Sequence, residues 1–360
     1  DYAWTLSRLN AQLSREDQDF WRDLLKDMPE PVRIPTDFPR SQTFDYQGRT
    51  VFYKMTEADS RLCDRFCQDH GFTPFMLFTA AFGILLASVS RQDDVCAGTP
   101  VSVRGSRELK DMAGMFVNTL PIRIRAGAEL TCLEYMEQIK KTVTGILDHN
   151  RADLESLAKM AGRKGNDMYH AILSMRPVNL EGTTFDHMEV QSEELPSSSA
   201  KMDLNLEVYK EKGRWNFRLE YADTLFLPQT GEFYARCIGA IAAGLARDEK
   251  RTLGNIPKIS GADRFRLDSL TENLSAAFAD VPVDAMVDMA AELAPDQAAL
   301  IFRDETFTLG ELKADWDALA SRLQDMGLKQ GDHIGILCRR GPRLLTAMMA
   351  VLKIGCAYVP

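Results

Sequence analysis

The sequence predicts an α/β fold in two domains, and three observations predict it. A chain of 360 residues, 45% of them hydrophobic, exceeds the ~250 to 300 residues at which a single core stops growing. Segments with a two-residue apolar period alternate with segments of 3.6-residue period. Near the C-terminus, an apolar run at 334–337, a helix opened by Gly341-Pro342 and a second run at Tyr358-Val359 form the strand, helix, strand succession of a parallel unit.

The elements follow in chain order. Residues 2–28 place Leu6, Leu9, Leu13, Phe20, Trp21 and Leu24 at spacings compatible with helix, and Pro29, Pro31, Pro35 and Pro39 then forbid one. A helix is expected between Thr56 and Gly71. Thr73 and Pro74 supply the N-cap and first helical residue of another. This second helix, 75–89, is apolar on almost every face, which predicts a buried core element too short to span a bilayer. Strands are expected at 95–103 and 116–125, the latter with Ile122 and Ile124 buried and Arg123 and Arg125 wet. A helix follows whose stripe is Leu133, Met136, Ile139, Val143, Ile146 and Leu147. Residues 168–175 fit a buried strand. Leu204, Leu206 and Val208 point inward against Asp203, Asn205 and Glu207, and Trp215, Phe217, Leu219 and Tyr221 repeat that period beyond Lys212-Gly213, which predicts an antiparallel hairpin. A helix at 229–246 closes the region.

Between 248 and 282 the texture changes to charged residues, Gly254, Pro257, Gly261 and a polar stretch. This predicts a first domain at 1–257, a linker at 258–282 and a second domain at 283–360. In the second, 300–302 is a short strand turning at Asp304, and Thr308 and Glu311 form a Thr-x-x-Glu capping box. The helix it opens carries Leu309, Leu312, Trp316, Leu319, Leu323 and Met326, and Gly327 stands where a left-handed terminal residue is wanted.

With 43 Lys and Arg against 52 Asp and Glu, the net charge of -9 argues against nucleic acid and anionic lipid as partners. No run reaches the ~18 apolar residues of a membrane helix, and no basic-then-apolar leader opens the chain. Seven scattered cysteines suggest buried thiols of a reducing compartment, with cytoplasm as the expected location. The start at Asp1 without Met and the stop at Pro360 within a strand-like run suggest a piece of something longer. None of the five histidines stands at metal-ligand spacing from another ligand. Cys63 and Cys67 would share a ligand or serve as two small core residues. Gly-x-Ser-x-Gly, the P-loop and Gly-x-Gly-x-x-Gly are missing. Asp268-Ser269-Leu270 has the modifiable-serine pattern of carrier proteins without its glycines, and is read as polar residues at a helix start. Residue chemistry by itself leaves the activity open.

Ordered motifs take the reading further. Arg91-Gln-Asp-Asp94, Gly98-Thr-Pro-Val-Ser-Val-Arg104 and Gly114-Met-Phe-Val-Asn-Thr-Leu-Pro-Ile-Arg123 resemble the second lobe of a condensation domain of nonribosomal peptide synthetases. Four further segments agree in order: Asp1-Tyr-Ala-Trp4, Ile34-Pro-Thr-Asp-Phe-Pro-Arg40, His149-Asn-Arg-Ala-Asp-Leu-Glu-Ser-Leu157 and Lys201-Met-Asp-Leu-Asn-Leu206. Phe307-Thr-Leu-Gly-Glu-Leu312 and Leu352-Lys-Ile-Gly-Cys-Ala-Tyr-Val-Pro360 are similar to the first two motifs of an amino-acid adenylation domain, in the module order of such synthetases.

The resemblance implies a chloramphenicol acetyltransferase-like condensation lobe, a mixed sheet with helices, followed by the first α/β part of an adenylate-forming domain. It implies amide formation between a donor acyl thioester and an acceptor aminoacyl group, both tethered to carrier proteins upstream and downstream in the same synthetase. The intact module would use 4'-phosphopantetheine on its carriers and Mg-ATP for adenylation, and this fragment is expected to bind neither. The family's His-His-x-x-x-Asp-Gly motif is absent, so no catalytic residue is assigned and the fragment alone is expected to be inactive. Of the residues near the family's channel, Asn118 would offer its amide to the substrate or make an ordinary strand-turn hydrogen bond, and Asp203 would line the channel or face water as a solvated carboxylate. Arg104 and Arg123 would pair carboxylates across lobes or face water. His149, with Arg151-Ala152 where the family has Asp-x-Pro, is expected to order a helix. Trp4, one residue early, and the changes near His149 motivate the alternative of a degenerate, non-catalytic condensation-like recruitment domain. An epimerising relative fits less well, because the adenylation motifs follow directly.

Residues 283–360, a fold cut within its first sheet, are expected to be poorly stable alone and to expose Met348, Met349, Val351 and Leu352. Limited proteolysis should remove this tail first; equal resistance along the chain contradicts the expectation.

Overall fold

The computed structural model describes residues 13–41, 45–104, 109, 112–176, 184–185, 188–189, 195–275 and 281–360, and separates into two units, Asp1–Phe265 and Arg266–Pro360. A six-stranded mixed sheet organises the first. Its strands are β1 (Gly48–Lys54), β2 (Asp94–Ser102), β3 (Val117–Arg125), β4 (Ala171–Met175), β7 (Leu204–Glu211) and β8 (Arg214–Ala222), in the order β1-β8-β7-β4-β2-β3. Two short strands, β5 (Thr184–Phe185) and β6 (Met188–Glu189), pair with each other. The two parallel pairings, β2 with β4 and β4 with β7, lie in the centre, and the remaining pairs are antiparallel.

The helices are α1 (Arg15–Leu25), α2 (Glu57–His70), α3 (Pro74–Ser90), α4 (Cys132–Asp148), α5 (Leu154–Met160) and α6 (Pro228–Arg247). Thr56, Thr73 and Thr131 are N-caps whose hydroxyls accept from the backbone N–H three residues on. Helix α3 is apolar all round because it lies inside the core: Leu77, Phe78, Phe82 and Leu86 are fully buried. Phe78 meets Trp215 and Phe217 of β8 edge-on, with centroids 5.1 and 5.4 Å away. The β7–β8 hairpin turns on Lys212 (φ 49°) and Gly213 (φ 77°), the left-handed pair that a two-residue hairpin favours. Leu204, Leu206, Val208, Phe217 and Leu219 are fully buried on its inner face.

Several expectations need correction. Arg123 is 6% exposed, not wet, because Asp94 and three backbone carbonyls surround its guanidinium. Leu147 is 46% exposed although it continues the α4 stripe. The stretch expected to be linker contains a helix, α7 (Gly261–Ser275), so Asp268 and Ser269 fall inside a helix and not at its start. Tyr2 and Trp4 lie outside the described residues. All seven cysteines are free. Burial pushes the Cys67 thiol up to about 12, and Cys63 and Cys67 are core residues. No cluster of metal-ligating side chains occurs among the described residues, and no single helix among them is long and apolar enough to cross a membrane.

The second unit pairs β9 (Ala298–Phe302) with β10 (Glu305–Thr308) as a hairpin, and β11 (His333–Gly335) with β12 (Ala357–Val359) in parallel. Its helices are α8 (Val283–Leu293), α9 (Leu309–Asp325) and α10 (Pro342–Lys353). Thr308 and Glu311 make the expected capping box, Gly327 has φ 89°, and Leu312 and Trp316 are buried. Met326 is 78% exposed, outside the stripe. Met349 and Val351, expected to be exposed, are buried with Leu312 and Trp316 in a small core. The apolar exposure falls instead on Val283, Met289, Leu293 and Ile301.

A charge network closes this core. Lys353 Nζ donates to Asp288 (2.6 Å) and to Asp317, Lys313 donates to Asp317 (2.8 Å), and Trp316 Nε1 donates to Asp288 (3.2 Å). Burial works to raise both carboxyls, yet the bonds from Lys353 and Trp316 to Asp288, and from Lys313 and Lys353 to Asp317, hold them below their ordinary 3.8. A depressed carboxyl contributes stability that is present above its unfolded value and is lost as pH falls through the folded one. The urea midpoint of the second unit should therefore fall below about pH 4, and Asp317→Asn should flatten the dependence. A midpoint that does not change with acidification contradicts this account.

Candidate functional site

Asp203 stands at the start of β7, 2% exposed, and not as a solvated carboxylate. A buried carboxylate requires a counter-charge and hydrogen bonds. Arg40 supplies both as a bidentate fork, Nη1 to Oδ1 at 3.0 Å and Nη2 to Oδ2. Two of the motif segments, 34–40 and 201–206, are thus joined across the fold. Within the first, the Asp37 N–H donates to Leu225 O at 2.9 Å, and the Asp37 carboxylate accepts from Leu227 N at 2.8 Å, at the N-cap of α6. Arg40 has a side chain 40% exposed, so the pair is dry on the Asp203 side and wet on the other.

Asn118, in β3 opposite Val101 of β2, turns its amide to the loop after α4: Nδ2 donates to Asn150 O at 3.3 Å and Ala152 O at 2.6 Å. Both amide hydrogens are thereby used, leaving Oδ1 as the group available to a ligand. The structure does not bring Asn118 into contact with Asp203. His149, at the C-cap of α4, orders α1 as expected. Its Nδ1 lies 2.7 Å from Asp17 Oδ1, its ring stacks on Phe20 at 4.4 Å, and its carbonyl accepts from Trp21 Nε1 at 2.9 Å. Gly145 makes this possible, because a Cβ there would fall 2.5 Å from the Phe20 ring. Burial raises the Asp17 carboxyl, but the Ser14 hydroxyl and His149 outweigh it and hold the group below its ordinary value.

Arg123 pairs not across lobes but with Asp94 on the neighbouring strand, Nε to Oδ1 at 3.0 Å and Nη2 to Oδ2 at 2.7 Å. It also donates to Leu24 O (3.0 Å) and Asp27 O (2.8 Å), so a cation sits on the negative end of α1. Arg104 is half-buried: it donates to Met112 O at 2.7 Å and lies 4.1 Å over the Phe116 ring. Beside Asn118, the end of β2, the start of α3 and the end of α4 enclose a groove of about 410 Å³. Sequence reasoning missed Arg40, Asp17 and Asp94 as partners. Arg40 and Asp94 already stood inside quoted motifs, and the signal available was a charge beside an apolar strand that must be neutralised.

The fold is that of a chloramphenicol acetyltransferase-like condensation lobe with the start of an adenylation domain. Of the solved structures, a holo four-domain nonribosomal peptide synthetase bound to AMP and glycine superposes with a TM-score of 0.71 at 23% identity, over 96% of this chain and 28% of that one. The family described as Condensation domain matches residues 1–255, and the family described as AMP-binding enzyme matches 287–360. The chain belongs to the condensation-domain family and continues into an AMP-binding segment. Bacitracin synthase 3 of Bacillus licheniformis is 26% identical over 100% of this chain and 6% of its own length. Malpinin synthetase of Mortierella alpina is 28% identical over 100% of this chain and 5% of its own. The chain therefore spans a small fraction of these multidomain relatives.

The exposure difference within the Arg40–Asp203 pair predicts an asymmetric response. Arg40→Ala strands a buried carboxylate and should cost about 3 to 5 kcal/mol, whereas Asp203→Ala leaves a half-hydrated guanidinium and should cost about 1 kcal/mol. Urea denaturation of both single variants and the double variant measures this. Equal costs for the two single changes contradict the pairing described.

Proposed function

We propose that this chain is the second lobe of an amide-forming condensation unit in a nonribosomal peptide synthetase, followed by the start of the unit that activates an amino acid. The observation that carries the reading is the order of two family matches in one chain, 1–255 and 287–360. The joining of the motif segments 34–40 and 201–206 through Arg40 and Asp203 supports it. The substrates are a donor acyl thioester and an acceptor aminoacyl group, each on the phosphopantetheine arm of a carrier domain of the same synthetase, and the adenylation unit uses Mg-ATP. We place the synthetase in the cytoplasm, in keeping with seven free cysteines.

In this assignment the chain's residues position groups and do not transfer protons. Asn118 holds the 150–152 loop and presents Oδ1 to the channel, and Asp203 fixes the channel wall through Arg40. The histidine that meets the acceptor amine belongs to the His-His-x-x-x-Asp-Gly motif of the partner lobe. Domain limits of 1–257 and 283–360, with a linker between them, accompany the reading.

The test uses the full synthetase, with donor and acceptor loaded on its carriers and amide product followed by mass spectrometry. Replacing the second His of that motif by Ala should abolish product, and Asn118→Ala should lower it at least tenfold. Product that survives the His replacement contradicts the assignment and favours a recruitment domain.

A further inference from the structure

The groove beside Asn118 differs in chemistry from two other clefts of the first unit. A cleft of about 550 Å³ is bordered by Asp23, Arg123, Arg125 and Lys141, and another of about 450 Å³ by Arg65, Asp69, Arg247 and Glu249. Among the described residues that line the groove, none is charged. Its walls are Phe75 and Met76 of α3, Ile122 of β3, Val143 and Ile146 of α4, and Met175 at the end of β4. Of its three hydroxyls, Thr73 caps α3, accepting from Met76 N at 3.2 Å, Thr99 donates to Leu173 O at 2.9 Å, and Ser102, exposed at the rim, accepts from Arg104 N at 3.4 Å. What it offers a ligand is dispersion and the exclusion of water, with two flexible methionines to fit the shape.

Size and position narrow the occupant. A volume of about 410 Å³ lies within the ~300 to 1,000 Å³ range of small-molecule sites. The groove also adjoins the clamped loop, since Val101 on its wall pairs with Asn118 and Asn150 Nδ2 reaches Ser102 O at 3.5 Å. We infer that this groove is a subsite for an uncharged aliphatic group of the tethered substrate, the acyl chain of the donor or the apolar side chain of the acceptor. The inference rests on the reading of the chain as a condensation lobe. It adds a substrate class to that reading: the groove favours aliphatic groups and rejects charged ones, because an ion entering it loses water and meets no counter-charge.

Binding is tested without catalysis, on the 360-residue chain with methyl-labelled methionine followed by NMR. The probes are hexanoyl-pantetheine for the donor and leucyl-pantetheine for the acceptor, with acetyl-pantetheine and pantetheine as references. The Met76 and Met175 signals should move while that of Met349, in the other unit, stays still, and affinity should rise about fourfold per methylene along the acyl series. Leu147→Asp, at a half-exposed groove position, should weaken binding at least tenfold. Ser102→Phe, which fills the groove from an exposed site, should do the same if the first variant misfolds. A response to hexanoyl alone, to leucyl alone or to both upholds the subsite and names its source. Still Met76 and Met175 signals with both probes, affinity independent of chain length, or folded variants that bind like wild type overturn it. Groove binding in a synthetase that makes no amide would leave the subsite standing and remove only the assigned activity.

Discussion

A carboxylate buried just before a central strand constrains this fold more than any other single group. A carboxylate at 2% exposure needs a counter-charge, and the cation that reaches Asp203, Arg40, lies 163 residues earlier. Meeting that requirement draws the proline-rich segment after α1 to the start of β7. There Asp37 holds the entry to α6. Arg123 imposes the same logic at the far edge, where a buried guanidinium satisfies Asp94 and the end of α1 together. Strands and helices form from apolar periodicity, and these two charges fix where the irregular segments lie.

The cores of the two units differ in kind. In the first, α3 and the inner face of the β7–β8 hairpin bury Phe78, Phe82, Phe217 and Leu219 completely, each contributing roughly 1.5 to 3 kcal/mol. In the second, Leu312, Trp316, Met349 and Val351 are joined by few other buried residues, and the Lys353, Asp288 and Asp317 network borders them. Its apolar helix face at Val283, Met289 and Leu293 remains exposed.

Most of the framework was legible in the sequence because period and capping are local signals. The hairpin at Lys212-Gly213, the capped helix at Thr73-Pro74 and the capping box at Thr308 each depend on residues within a few positions of one another. Arg123 departs from alternation because period alone assigns a face, and the end of α1 covers β3 at that position. Asp203 departs for the same reason, since its neutralising partner is remote in sequence. Of helix α7 only a start near Asp268 was legible, because its apolar residues fall on no single side. Of the candidate site, Asn118 and Asp203 were legible only through motif resemblance, and the Arg40 fork and the groove needed three dimensions.

These observations converge on a condensation lobe in which buried charge pairs fix the irregular segments against a mixed sheet. Hydrogen exchange followed by mass spectrometry on Arg40→Met against the unaltered chain tests that claim most directly. The account predicts faster exchange in 34–40, 200–206 and 225–228, with α3 and β8 as protected as before. Unchanged exchange in the first three segments, or loss of protection spread evenly over the first unit, would contradict it.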